Sequence, residues 1–331
     1  LNYAKQLRTI YKKIDNSKFI LFITIISLFD IGRVNQRITN PPEDIAHPVI
    51  KNEKYFNAQI NSDEIVEFFK TDKSKFRVLP LGEFANNRLV AFNIETVTGY
   101  HPAKLASYET LMAKVGVNEN MLKLLNVKYV LSPSKLPDDQ AKALSLNRVK
   151  GGKYYNNFEY KNAYIYEYAK FESRVQFAKK LNLLNSANEG YALLNKENFS
   201  LSKNSFIIDD AANKLNLDSL GYSEGSSVKI SEWSPNKIVI NSEVIGEKNH
   251  FVILSEAYFP YGWQVVGASN DKVFRVNNFI RGFFVPPGSS EIILYFNPQD
   301  INYSSIITYV FFLLILGLLF SKNIRLLNER V

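Results

Sequence analysis

The hydrophobic positions of this chain fall into three regimes. Residues 301–321, "INYSSIITYVFFLLILGLLFS", hold no charged side chain. At about 1.5 Å per residue the run spans a hydrocarbon core of about 30 Å. The polar stripe of a core helix is missing, so the pattern predicts a transmembrane helix. A shorter apolar run, "FILFITIISLF" (19–29), follows Lys18 and ends at Asp30. A signal-peptide core would have this length, but no small-x-small cleavage site follows. With Lys18 reaching one interface and Asp30 near the other, it reads as a second, short transmembrane helix over 18–34.

Between these ends, residues 41–200 mix helical and alternating periods. "NPPED" (40–44) makes a stiff exit from the first helix. "DEIVEFFKTD" predicts an amphipathic helix with Ile65, Phe68 and Phe69 on one side. "FRVLPL" (76–81), "RLVAFNI" (88–94) and "KYVLSP" (128–133) predict strands. "PAKLASYETLMAKVG" and "NENMLKLLNV" predict helices, the second capped by Asn118. "KYYNNFEY" and "AYIYEYAKF" predict paired strands that turn at Lys161-Asn162, and "SANEGYALLNKEN" a further helix. Together these form a small α/β unit.

From about residue 225 only strands remain, divided by "GEKN", "PYG", "ASND", "NN" and "PPGSS", which have turn chemistry. Recurrence every 8–12 residues predicts an antiparallel β-sandwich over 201–300. Within it, Val252 and Leu254 alternate with Phe251 and Ile253, all apolar, so this strand is expected to be buried on both faces. "FPYGW" then turns at Pro260 and Gly262 and starts the next strand at Trp263. Aromatic rings at such a corner cap a core, Trp and Tyr exposing a polar edge; a sugar-stacking platform is the competing reading. The fold class is therefore α+β, an α/β unit and a sandwich bracketed by two membrane helices.

Charge fixes the orientation. Residues 1–40 carry seven Lys/Arg against two Asp/Glu, and 301–331 carry three against one, leaving 30 against 29 for 41–300. Lys5, Arg8, Lys12, Lys13 and Lys18 precede the first helix; Lys322, Arg325 and Arg330 follow the last. Basic flanks stay cytoplasmic, so 1–17 and 322–331 are expected inside and 41–300 outside the cytoplasm. A pI of 9.2 would suit a nucleic-acid interface, but a near-neutral body removes that reading. The abundance of Asn, Lys, Ile and Tyr fits an AT-rich bacterial genome, and the initial Leu fits a piece of a longer protein. With no Cys and three scattered His (His47, His101, His250) there is no thiolate or paired-imidazole metal set. No P-loop, G-x-G-x-x-G or G-x-S-x-G motif occurs.

Several stretches in order resemble the C-terminal half of the YfhO-like family of bacterial multispanning membrane proteins. They are "SLFD" (27–30), "FRVLPL", "TGYHPAKLASYETL" (98–111), "LLNVKYVLS" (124–132), "VILSEAYFPYGWQV", "RVNNFIRGFFVPPGSSEIILYFNP" and the terminal helix. "GASND" stands where the family often has Asp-Gly, and "FESRVQF" is similar only in part to its Pro-Arg pattern. The resemblance implies a glycosyltransferase of the GT-C type in the cytoplasmic membrane, with a polyprenyl-phosphate-linked sugar donor. It also implies an N-terminal membrane bundle preceding this segment, which would carry the catalytic acid. No catalytic residue is carried over; Asp30 matches a family position at the outer end of a helix.

Ligand contact has few candidates. "GYHP" joins flexible Gly99, aromatic Tyr100, titratable His101 and a Pro on one loop. A strand-to-helix turn uses Gly and Pro in any case. Asp30 is an acid within an apolar helix, Trp263 the ring of the corner, and Arg281 an inward cation that would need a carboxylate partner. "DDQAK" and "IIDD" read as loop acids, not metal ligands. Two functions remain open: the outer part of a GT-C-like transferase holding envelope glycan, or a membrane-tethered binding or structural module without chemistry. Both place a lipid bilayer among the partners.

Overall fold

A computed structural model describes residues 16–39, 53–99, 104–197, 199–208 and 220–328. The chain is mixed α+β with several sheets, mostly antiparallel. Its first described helix, α1 (Asn16–Thr39), contains an apolar segment from Lys18 to Gln36, and no part of that segment is buried against the rest of the protein. The helix expected over 18–34 continues to Thr39, so Asp30 lies within it and not at its end.

After α2 (Glu53–Ile60) comes α3 (Glu64–Thr71), whose Ile65, Val66 and Phe69 are buried. Asp63 caps it: its Oδ1 accepts from the backbone of Ile65 (3.1 Å) and Val66 (3.0 Å). The other carboxylate oxygen accepts from Tyr155 N (2.9 Å) and pairs with Arg88 (2.9 Å). That ion pair accounts for a misplaced strand. Residues 88–94 carry a strand pattern, yet Arg88–Phe92 is a 3-10 helix closed by left-handed Asn93. The Arg88 side chain is drawn under α3, and short-range bonds such as Asn93 N to Val90 O (3.0 Å) replace a ladder.

α3 covers one face of the first sheet, β1 (Arg77–Pro80), β2 (Val127–Ser132), β3 (Leu146–Asn156) and β4 (Glu159–Tyr168). Their order is β1-β2-β4-β3, with β1 and β2 parallel. The β3–β4 turn is Asn157-Phe158, both at positive φ (47° and 71°), which is the two-residue turn that matches strand twist. Lys161 and Asn162, expected at the turn, lie inside the ladder opposite Tyr154 and Lys153. Three helices lie toward the other face of the sheet: α4 (Ala106–Val115), α5 (Glu119–Leu124), capped by Asn118 as expected, and, beyond the short α6 (Asp138–Ala143), α7 (Ala187–Leu194). The acidic pair of "DDQAK" thus opens a helix, where its charge suits the N-terminal dipole.

The second sheet runs β5-β10-β13-β12-β7-β6, from β5 (Val175–Ala178), β6 (Asn182–Leu184), β7 (Phe206–Ile208), β10 (His250–Ala257), β12 (Phe274–Val276) and β13 (Ile280–Val285). Strands from both sides of residue 200 share it, so the domain division expected there cuts through a continuous sheet. The third sheet runs β11-β14-β9-β8, from β8 (Ser227–Ser234), β9 (Lys237–Val244), β11 (Trp263–Val266) and β14 (Gly288–Phe296). β10 is buried on both faces, as its run of apolar residues predicts. Phe251 and Ile253 join the cluster around α4, α5 and α7. Val252 and Leu254 join the one shared with Ile240, Ile292 and Leu294 of the third sheet. Two residues after β14, the chain enters α9 (Gln299–Asn328), numbered after the short α8 (Leu201–Asn204). Its segment Gln299–Leu318 is long and apolar enough to cross a membrane and has no protein cover.

Candidate functional site

The corner and its neighbours are built by pairing. Trp263 lies opposite Phe296 in the β11–β14 ladder. Asn297 N donates to Gly262 O (2.6 Å). At Gly262 φ is +84°, and a Cβ would lie 2.7 Å from the Phe296 ring, so the position requires glycine.

Two sequence candidates meet here. The Arg281 guanidinium stacks on the Trp263 ring, 3.7 Å from its centroid, and Arg281 Nε donates to Ala257 O (2.9 Å). The expected carboxylate partner is replaced by an aromatic face, which a planar, weakly hydrated guanidinium accepts. Arg281 is 6% exposed, and its Nη1 is buried without a hydrogen-bond partner. Burial lowers its pKa to about 10, Glu256 opposing and Arg77 adding to the shift. The remaining candidates stand apart. Asp30 is exposed on α1, and Gly99 is exposed with its backbone close to Asn87, where a Cβ would lie 2.9 Å from Oδ1. Tyr100 and His101 lie outside the described residues.

Behind Arg281 is a charge cluster not foreseen from sequence. Arg174, 2% exposed, donates through Nη1 to Glu256 (2.6 Å), through Nη1 and Nη2 to Glu95 (3.0 Å each) and through Nε to Asn126 (2.6 Å). Arg77 meets the same carboxylates, Glu256 at 2.9 Å and Glu95 at 3.3 Å, and donates to Ser255 O (2.7 Å). Lys75 reaches the other Glu95 oxygen (2.6 Å) while lying 3.4 Å from the Trp233 ring centroid. Burial alone would raise the Glu256 carboxyl, but Arg77 and Arg174 outweigh it and hold it below the usual range. Burial likewise lowers the Arg77 guanidinium, against the pull of Glu256. These residues come from five separate segments, so no spacing marks them. The one sequence signal is a charge set among apolar strand positions, as in "FRVLPL" and "ESRVQF". Every carboxylate here is engaged by cations, which makes the cluster a clamp between the first and second sheets, not a reactive centre.

An open cleft of about 450 Å³ lies beside the corner. It is lined by Tyr258–Pro260, by Leu105–Ser107 at the start of α4, by Ile207 and Ile208 of β7, and by residues 272–275, which include Lys272 and Arg275. Its lining is mainly apolar, with the rings of Tyr258, Phe259 and Phe274 and the cations Lys272 and Arg275. Among the described residues, no group of three or more His, Cys, Asp or Glu is placed to hold a metal. Compared with known protein families, with curated proteins and with solved structures, the chain matches none of them.

Proposed function

We propose that this chain is a membrane-tethered domain, held outside the cytoplasm of a bacterial cell, that binds an anionic, sugar-bearing ligand in the cleft beside the aromatic corner. In this reading the second and third sheets form a β-sandwich, and α1 and α9 cross the cytoplasmic membrane. One observation carries it: Leu105–Ser107 and Tyr258–Pro260, distant in sequence, line one cleft, and the reading takes both from stretches whose wording resembles the YfhO-like family. Leu105–Ser107 belong to "TGYHPAKLASYETL" and Tyr258–Pro260 to "VILSEAYFPYGWQV". Aromatic faces stack on sugar rings, and Lys272 and Arg275 supply charge for a phosphate or uronate. A polyprenyl-phosphate-linked sugar or an envelope glycan has both features. The domain would then position such a glycan for a membrane bundle preceding this segment.

The full chain in lipid nanodiscs is titrated with a phosphorylated oligosaccharide and with its dephosphorylated form. The phosphorylated form is expected to bind more tightly. The double substitution Lys272→Ala/Arg275→Ala should remove most of that preference, and Tyr258→Ala should weaken both. Absence of binding to either sugar, or a preference untouched by the double substitution, overturns the reading.

A further inference from the structure

The end of the body from which α9 departs carries exposed aromatic side chains. Phe259 is 40% exposed, Tyr261 68% and Trp233 37%. Phe259 and Tyr261 pack edge to face, their centroids 5.9 Å apart, although neither contributes to a buried cluster. Hydrogen bonds fix these residues near the chain exit. Trp263 faces Phe296, so the turn before it projects past the last residue of β14. Asn297 N bonds to Gly262 O (2.6 Å), and Phe296 N bonds to Asn236 O (2.9 Å) in the turn beyond Trp233. The first turn of α9 is tied in as well, Asn302 Nδ2 donating to Asn297 Oδ1 (2.7 Å).

If α9 spans from Gln299, its first turn lies at the level of the lipid headgroups. The bonds just described then bring the aromatic turn to that same level. Tyr and Trp, each with one polar edge, favour this zone, and an apolar ring such as Phe259 buries at its acyl side. We propose that Phe259 and Tyr261 insert into the headgroup–acyl boundary of the bilayer crossed by α9 and hold the folded body against it, with Trp233 at the rim. The occupant of this surface is therefore lipid. The proposal rests on the membrane-spanning part of the reading above and is independent of any sugar binding. It adds that the cleft, which Phe259 also lines, opens at headgroup height, where a lipid-linked ligand can be met without leaving the membrane.

The chain has no cysteine, so one introduced Cys carries one spin label. Labels are placed at Tyr261→Cys, at Ile307→Cys within α9 and at Ser290→Cys at the opposite end of β14. The full chain is studied in nanodiscs of equimolar phosphatidylcholine and phosphatidylglycerol. Relaxation by oxygen is compared with relaxation by a water-soluble nickel chelate. The oxygen-to-nickel ratio at 261 is expected to approach that at 307 and to exceed that at 290 severalfold. A ratio at 261 equal to that at 290, with 307 lipid-embedded, overturns the insertion alone and leaves a protein partner as the cover of the turn. Water-like ratios at both 261 and 307 overturn the insertion together with the membrane span on which it rests.

Discussion

Arg174 shows what one buried side chain does in this fold. It joins Glu95, from the loop after the first 3-10 turns, to Glu256 at the end of β10. Removing it leaves two carboxylates facing too little positive charge away from water, a change that costs about 3–5 kcal/mol in comparable buried pairs. Arg174→Ala should lose stability of that order near neutral pH, measured by chemical denaturation of the full chain in detergent. The pH dependence separates lost charge from lost packing. The folded-state pKa of Glu256 is depressed below its ordinary value of 4.5. Its contribution is therefore present above that value and disappears as pH falls through the lower, folded value. Below pH 4.5 the gap between the wild type and Arg174→Ala should narrow; a gap independent of pH would assign the loss to packing. Arg174→Lys should not restore the wild type, because one ammonium cannot reproduce a planar fork shared by two carboxylates and an amide.

Elements whose signal is local were legible from sequence. Asn118 caps the helix that follows it, and β10 shows both its faces in the order of its apolar residues. The failures are tertiary in origin. Arg88 finds Asp63 and turns a strand-like run into a 3-10 helix. β8 carries only a weak strand pattern, because its outward residues are polar and only Val228 and Ile230 pack inward. The hairpin was misplaced because Phe158 is a poor residue for a left-handed position, so nothing in "NNFE" outbid Lys161-Asn162. Of the site, the aromatic corner was legible from its composition, whereas the Arg–Glu cluster was not, being assembled from segments far apart. The turn makes a test. A non-glycine residue at positive φ costs about 1–2 kcal/mol, and Asn-Gly is the preferred pair for this geometry. Phe158→Gly should therefore raise stability by about 1 kcal/mol, seen as a later denaturation midpoint with unchanged slope. A lower midpoint would mean that the packing of the ring outweighs the strain of its backbone.

For the whole molecule, the proposed arrangement puts both ends of the chain on one side of a membrane and the body on the other. Cys introduced at Lys203 should react with an impermeant thiol reagent in intact cells, and Cys at Asn328 should react only after lysis; the reverse labelling would refute the orientation. Sheet order has a further consequence, for the chain while it is being made. The first sheet has all its strands by Tyr168. β5 must then wait about 75 residues for β10, and the third sheet cannot join β11 to β9 until β14 comes between them. Phe296, the last residue of that inner strand, precedes α9 by only two residues. Closure of the body and delivery of the apolar helix thus fall at the same moment of synthesis. A ribosome that stalls earlier leaves β9 with an open edge, ready to pair with any strand it meets. Such a nascent chain is open to wrong pairing for as long as β14 has yet to emerge.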